Sequence, residues 1–544
     1  MKHYTEPVIG REFFAREDIL SNLEKSAHNL KMGYRQNISI IGTSLIGKSS
    51  LLLNFLNRLS ADRDILPVYV DLHSGGTKDF IANFIKSAFY NALKKRAVII
   101  QSADIDGILA ASRCAFPKSC DLAERIFALA GEGNIDDAFS EVWDIPAFLS
   151  AESGCFIVIV VDEFDRFAYF GIDRPYQILG RKIMVQQKTL FVFSSSASVS
   201  AKKILDQKLS LLFGGFKIID IGPFNTAQSK DFILTMTKGI KIPKTLVDFI
   251  VLFTGGHPFY LSIIIDKIRF ANTCGAGSIT AKTLSSIISE QLFSPAGLFN
   301  QFFHETVKRA APAESDISVM DVLRTFVKTG CFSEILNRNT VSASQLCAIV
   351  DNFMELGFMQ KSGSLYAITD PMFRVWVEVK SNPRNLCFDF VPRQEWDDCP
   401  AQIENRIAVF RSEQQKSIGS RVVELLRLFD NDQFFIDERV RLLPRIEQIG
   451  LKKRQGYDML KARTMKKACV FALFYKIIDE EAVMEIAQTL REDKTGRPKV
   501  VLIAYWGIEP AARLLAKQRL FCVWDKPDIS RLFNFYKGYN YLIA

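Results

Sequence analysis

One eight-residue stretch constrains the fold of this chain more than any other part of its sequence. It follows the pattern GxxxxGK[ST], and a further serine comes directly after it. A β-rich run ends just before the stretch and a helical pattern follows, which is the context in which backbone N–H groups surround a phosphate. The predicted nucleotide contacts are Gly42, Thr43, Ser44, Leu45, Ile46, Gly47, Lys48, Ser49 and Ser50.

Two of these residues carry most of the predicted chemistry. The Lys48 ammonium group is expected to neutralise the β- and γ-phosphates of ATP, and is counted here as a catalytic group. The Ser49 hydroxyl is expected to bind Mg²⁺. ATP or ADP with Mg²⁺ is therefore the predicted ligand set.

An acidic motif follows an apolar run at residues 155–161. Its members are Asp162, Glu163, Phe164 and Asp165. In a nucleotide hydrolase, acids at the tip of such a strand organise the metal ion and the attacking water. We predict that Asp162 binds Mg²⁺ through water and that Glu163 orients or deprotonates the water. Taken alone, the motif would also fit a buried strand that ends in a solvated acidic turn.

Apolar runs recur along the first half of the chain, and helical stretches separate them. Unbroken apolar strands of this kind belong to a parallel sheet that helices cover on both faces. The sequence therefore predicts an α/β fold with a P-loop NTPase core. The further runs lie at residues 65–72, 189–194 and 216–221.

The remaining chain predicts several smaller modules. Three helical segments and a hairpin around Ser362 and Gly363 follow the order of a winged helix-turn-helix. The last part again mixes strands and helices. The predicted boundaries are residues 1–225 for the core, 226–290 for a helical lid, 291–380 for the winged helix, 381–400 for a linker and 401–544 for a C-terminal α/β domain.

Composition limits the class of protein further. Lysine and arginine number 69 against 60 aspartates and glutamates, and 48% of the residues are hydrophobic, as in ordinary globular chains. No apolar run approaches the roughly 18 residues of a membrane span, so no membrane partner is expected. Ten cysteines without a CxxC pair fit reduced thiols. Together with an N-terminus that lacks an apolar signal segment, they favour a cytoplasmic location.

Residues 8–12 resemble the "(F/I)xGRE" box of archaeal-type AAA-like ATPases, which are related to origin-recognition and STAND signalling ATPases. Further boxes match in the same order, and the resemblance covers about residues 5–380. These boxes are the Asp-Glu-Phe-Asp motif, Ser194 to Ser196, residues 212–215 before Pro223, residues 255–261 and residues 366–376.

The resemblance implies roles for five residues. Gly10 and Arg11 would pack near the adenine and ribose. Ser194 or Ser195 would reach the γ-phosphate, and we count Ser195 among the predicted catalytic residues. His257 would touch the β-phosphate, although a histidine in a helix-capping loop explains the same position equally well.

The winged-helix segment gives a mixed signal. Its predicted recognition helix, residues 342–356, contains no lysine or arginine but includes Asp351 and Glu355. Helices that bind DNA normally present basic and amide groups. Arg338 and Lys361 could still contact phosphates from the flanking turn and wing. DNA contact and a packing or protein-interaction role both stay open.

The C-terminal region carries most of the excess positive charge. Residues 379–544 contain 29 lysines and arginines and 22 aspartates and glutamates. Seven basic residues of this region lie close together in the sequence: Lys452, Lys453, Arg454, Lys461, Arg463, Lys466 and Lys467. A basic cluster of this kind is typical of a surface that binds a phosphate backbone, while a solvated helix face is the alternative.

This region also resembles an Mrr-like PD-(D/E)xK nuclease domain. Residues 419–424 resemble its first helix, with Glu424 as the acid, and Asp458 resembles the motif aspartate. Phe474, Tyr475 and Lys476 stand where (D/E)xK is expected, so the second carboxylate is missing. Phenylalanine cannot bind a hard cation, and we predict a degenerate, inactive nuclease fold.

Three functional hypotheses follow. The first is an ATP-hydrolysing molecular switch that couples nucleotide state to DNA, to protein partners or to a homo-oligomer. The second is an ATP-regulated DNA nuclease. The third is a protein-interaction scaffold in which nucleotide is structural and turnover is slow.

Overall fold

The computed structural model describes residues 4, 6–73, 75–100, 102–209, 215–275, 277–311, 319–330, 332, 335–336, 342–380, 398–437, 439–465, 467–492 and 498–538. The chain divides into two compact units, Met1–Phe224 and Asn225–Ala544. Residues 212–214, Arg338, Lys466 and the predicted linker up to residue 397 lie outside the described residues. No helix in the described part is both long and apolar enough to cross a membrane.

A parallel sheet organises the first unit. In the described residues it has five strands in the order β2-β3-β4-β1-β5, and every neighbouring pair is parallel. The predicted α/β fold with a parallel P-loop sheet is therefore confirmed. Its strands are β1 (Asn37–Ile41), β2 (Ile65–Asp71), β3 (Phe156–Asp162), β4 (Thr189–Ser195) and β5 (Phe216–Asp220).

Helices cover both faces of this sheet. One core joins strand residues such as Ile38 and Val160 to α1 and α2. A larger, aromatic-rich core on the other face contains Phe80, Trp143 and Phe167. The helices are α1 (Glu17–Lys31), α2 (Lys48–Leu59), α3 (Thr77–Lys95), α4 (Ile105–Ser112), α5 (Pro117–Glu132), α6 (Ile135–Val142), α7 (Ile145–Ser153), α8 (Pro175–Val185) and α9 (Ser198–Lys203).

The second unit begins with helices. Capping side chains start several of them; the Asn225 side chain, for example, accepts a hydrogen bond from the backbone N–H of Gln228 at 2.9 Å. The helices are α10 (Thr226–Met236), α11 (Lys244–Thr254), α12 (Pro258–Thr273), α13 (Ala281–Phe293), α14 (Leu298–Ala310), α15 (Val319–Thr329), α16 (Ala343–Glu355), α17 (Pro371–Lys380), α18 (Asp398–Gln415), α19 (Ile418–Leu426), α20 (Glu480–Glu492), α21 (Pro510–Gln518) and α22 (Lys526–Lys537).

Two hairpins and a mixed sheet complete this unit. The described part of the sheet has the order β10-β11-β12-β13-β14, with the first three strands antiparallel and the last three parallel. The strands are β6 (Met359–Ser362) and β7 (Leu365–Ile368), β8 (Asp432–Ile436) and β9 (Arg439–Leu443), β10 (Gln448–Lys453), β11 (Tyr457–Arg463), β12 (Ala468–Phe474), β13 (Lys499–Ala504) and β14 (Cys522–Asp525).

The β6–β7 hairpin, which the sequence predicts as a wing, packs against β8. The backbone N–H of Phe435 donates to Ser362 Oγ at 3.0 Å, and the N–H of Ser364 donates to the Gln433 carbonyl at 3.0 Å. Gly363, at the turn, has a φ of +62°, and a Cβ there would overlap the Gln433 carbonyl. This turn is therefore committed to an internal contact of the second unit.

We expect Gly363→Ala to destabilise the second unit. The left-handed backbone alone costs a non-glycine residue about 1–2 kcal/mol, and the overlap with Gln433 adds to that cost. Thermal unfolding of the full chain should show a lower transition temperature. Gly277→Ala is the matched control, because a Cβ at Gly277 meets nothing within 4 Å. Equal transition temperatures for the two variants would contradict the contact.

Candidate functional site

The phosphate-binding loop lies between the carboxyl end of β1 and α2. A Cβ at Gly42 would lie 2.5 Å from the carbonyl oxygen of Ile221, so only glycine fits. Gly47 has a φ of +95° and begins α2. The two glycines thus let the loop curl tightly and present the N-terminus of α2, which favours an anion.

Lys48 is buried inside this loop. Its Nζ donates to the carbonyl oxygens of Gly42 at 3.0 Å and Thr43 at 3.2 Å, and to Ser196 Oγ at 2.6 Å. The Glu163 carboxylate lies 3.6 Å away. The ammonium group is therefore held at the loop, beside the tip of β4.

The two predicted magnesium ligands meet directly. Ser49 Oγ donates to Asp162 Oδ2 at 2.6 Å, although the residues come from different elements. Asp162 is 2% exposed and also accepts from the hydroxyls of Ser194 and Tyr69, the latter at 3.0 Å. Burial, and then the charge of Asp162, raise the pKa of Tyr69, so its hydroxyl stays protonated and donates.

Glu163 projects from a left-handed backbone position, with a φ of 57°. Non-glycine residues adopt this conformation rarely, and often at functional sites. Its carboxylate accepts from the Ser196 backbone N–H at 2.8 Å and from the Ser196 hydroxyl. Ser196 therefore bridges Glu163 and Lys48.

The contacts distinguish the three serines at the end of β4. Ser194 donates to Asp162, and Ser195 Oγ donates to Asp165 Oδ1 at 2.5 Å. Burial raises the pKa of Asp165 to about 6, and the Ser195 hydroxyl opposes that shift. Ser194 or Ser195 is the serine predicted to reach the γ-phosphate, whereas Ser196 is the one that contacts Lys48 and Glu163.

The segment around Gly10 is tied to α2. The Gly10 N–H donates to Asn54 Oδ1 at 2.9 Å, and Asn54 Nδ2 donates to the Val8 carbonyl at 2.8 Å. The Val8 N–H donates to Ser50 Oγ at 3.0 Å. These contacts bring Gly10 to the helix that follows the loop, while the side chain of Arg11 lies outside the described residues.

Arg16, which no sequence motif pointed to, lies beside the phosphate-binding loop. It is 7% exposed, and its guanidinium donates to the Gly222 carbonyl at 3.0 Å and lies over the Phe224 ring. A Cβ at Gly47 would lie 3.4 Å from its Nη1. Burial lowers the pKa of Arg16 to about 10. Among the described residues no carboxylate oxygen lies within 4 Å of the Arg16 guanidinium. A phosphate bound at the loop could therefore pair with this buried cation.

His257 belongs to the second unit. It precedes α12, and its ring lies 4.5 Å from that of Tyr260, whose hydroxyl donates to Asp370 at 2.8 Å. This environment fits the capping-loop interpretation. A nucleotide contact by His257 stays a prediction.

The nuclease-like edge of the second sheet has a different chemistry from the one the motif requires. Asp458 is buried and accepts the Tyr475 hydroxyl at 2.5 Å. The residue opposite Asp458 on β12 is Leu473. Lys476 is exposed and paired with Asp479 at 3.2 Å. The described residues contain no group of three or more histidines, cysteines or acids that could hold a metal ion.

Comparison with known proteins finds similarity in fold only. No family model matches the chain, and no curated protein matches its sequence. A Walker-type ATPase of Pyrococcus abyssi has a TM-score of 0.49 and 18% identity, covering 69% of this chain and 98% of its own. The ORC2 protein of Aeropyrum pernix, solved as ADPNP–ADP complexes, scores 0.43 at 11% identity, covering 75% and 98%. The Aeropyrum pernix ORC1 protein in complex with DNA scores 0.39 at 14%, covering 70% and 95%.

We expect Arg16→Ala to weaken ATP and ADP binding about tenfold, because hydrogen bonds to charged groups are the stronger ones. Isothermal titration calorimetry measures this directly. Arg35→Ala is the control. Arg35, just before β1, is also partly buried, and its guanidinium donates to the Ile183 carbonyl at 2.8 Å. Unchanged affinity in Arg16→Ala, or an equal loss in Arg35→Ala, would remove Arg16 from the site.

Proposed function

We propose that the first unit binds ATP and hydrolyses it to ADP and phosphate. One observation carries this proposal: Lys48, Ser49, Asp162 and Glu163, from two distant sequence segments, converge at one edge of the sheet. A passive nucleotide binder needs the loop and the lysine. It does not need a second acid held beside them by two hydrogen bonds.

The oxygen donors of the site fit Mg²⁺. Ser49 offers a hydroxyl and Asp162 a carboxylate, and hard oxygen ligands are what this ion prefers. Bound there, Mg²⁺ would neutralise phosphate charge. Tyr69 and Ser194 orient Asp162 by donating to its two carboxylate oxygens.

Glu163 is the proposed base. Water attacks the γ-phosphorus, the bond between that phosphorus and the bridging oxygen of the β-phosphate breaks, and the water proton passes to Glu163. Ser196 positions the carboxylate through its N–H and hydroxyl. Lys48, which donates to two loop carbonyls and to Ser196 and lies 3.6 Å from Glu163, would neutralise the β- and γ-oxygens.

The second unit is proposed to read out the nucleotide state as part of a molecular switch. Its winged-helix turn packs on β8, which supports a packing role for the wing over direct DNA contact. The Asp458–Tyr475 hydrogen bond and the exposed Lys476 argue against nuclease chemistry. A scaffold with little turnover is the alternative that the kinetic tests below distinguish.

Lys48→Ala should abolish nucleotide binding, because the loop loses its only ammonium group. Glu163→Gln should bind ATP normally yet turn over at least about 10²-fold more slowly, which is the usual contribution of a general base. Calorimetry and phosphate-release assays separate the two effects. Glu132→Gln, an exposed acid on α5, serves as the control. Wild-type turnover in Glu163→Gln would exclude it as the base.

Ser196→Ala should lower kcat about tenfold, because it removes the hydroxyl that donates to the Glu163 carboxylate. It should weaken ATP binding less than Lys48→Ala does, because the Lys48 ammonium keeps its two loop carbonyl partners. Ser195→Ala should affect kcat less, since its hydroxyl faces Asp165. The comparison decides between the serines. A larger kcat loss in Ser195→Ala than in Ser196→Ala would favour Ser195, the serine predicted from the sequence.

A further inference from the structure

One face of β11 is apolar and buried at its start but basic and exposed at its end. Tyr457 and Met459 are buried in the core that includes α20. Lys461 and Arg463 follow on the same face, because strand side chains alternate, and both are exposed. Gly450 of β10 lies opposite Lys461 and has no side chain to cover it.

These basic residues line a surface cavity of about 760 Å³. Lys467, from the β11–β12 turn, completes its charged wall. Cys469 and Leu490 are among the residues that form its apolar part. No aspartate or glutamate is among the described residues that line it, so positive charge is concentrated in a concave space.

Two of the basic residues that line the cavity differ from other basic residues of this unit in having no carboxylate nearby among the described residues. Lys416, Lys476 and Lys537 each have a carboxylate oxygen within 4 Å. By contrast, in the part of the chain that the structure describes, no carboxylate oxygen comes that close to the side chains of Arg463 or Lys467, which line the cavity. A concave surface that leaves two cations without a neighbouring carboxylate attracts a polyanion.

We propose that this groove binds the phosphodiester backbone of DNA. Two residues along a strand advance about 6.8 Å, so Lys461 and Arg463 present two separate cations on one face of β11. Each of them can contact a different phosphate of one DNA strand. The concave shape admits a nucleic-acid strand better than a flat bilayer, and phosphate contacts of this kind give no base specificity.

The groove lies at the end of the sheet away from the nuclease-like edge. Asp458 and Tyr475 mark that edge at the start of β11 and just beyond β12. The groove takes its residues from the end of β11 and the start of β12. DNA binding in this groove therefore does not use the residues of the nuclease-like edge.

Fluorescence anisotropy of the full chain with a labelled 20-base-pair duplex tests the proposal. Lys461→Ala with Arg463→Ala should bind about tenfold more weakly at 100 mM salt. The slope of log K against log salt should decrease in magnitude by about 2, one for each lost phosphate contact. Lys517→Ala with Arg519→Ala, at the end of α21, should bind like the wild type.

Three results would overturn the proposal: no duplex binding by the wild type at 50 mM salt, an equal loss in the control pair, or an unchanged salt slope in the groove pair. Vesicles with 30% phosphatidylserine form a second arm, and groove-dependent vesicle binding without duplex binding would indicate a lipid surface instead. Basal ATPase activity should be equal in all variants, so a failure of the groove is distinguishable from a failure of the ATPase.

Discussion

The close approach of Gly42 to the Ile221 carbonyl is the constraint on which the first unit depends. It packs the loop against the chain that follows β5, and the Lys48 side chain is buried within that loop. The strand order then places β4 between β1 and β3. The serines at the end of β4 consequently lie between the loop and the acids, and each of them bonds an acid.

Much of this arrangement could be predicted from the sequence. Parallel strands buried on both faces are continuous apolar runs, and their carboxyl ends share one edge, so the loop and Asp162 were expected to meet. The sequence pointed to Ser194 or Ser195, with Ser195 counted as catalytic, but it could not show which hydroxyl reaches which group, because neighbouring residues at a strand end point in different directions. Only the paired register settles which hydroxyl reaches which acid.

Other site residues escaped prediction because their partners are far away in the chain. Arg16 bonds a carbonyl 206 residues later, and Tyr69 bonds an acid 93 residues later. Local sequence patterns do not reveal contacts between residues so far apart in the chain. A second Arg-Glu pair, Arg16 and Glu17 just after the predicted box, was the available signal for Arg16. In the second unit, the partner of Asp458 depends on strand register, which puts Leu473 opposite Asp458; the Tyr475 hydroxyl, two residues further along, then reaches the Asp458 carboxylate.

The contact between the wing and β8 has a consequence for synthesis. Its partners are separated by roughly 70 residues, Ser364 and Gln433 being 69 apart. At about 5–20 residues per second, the ribosome synthesises β8 roughly 3–14 s after the β6–β7 hairpin. During that interval the backbone N–H of Ser364, next to β7, lacks the Gln433 carbonyl to which it donates in the folded chain. Until β8 is made, this strand edge can pair with another chain, as unpaired sheet edges do.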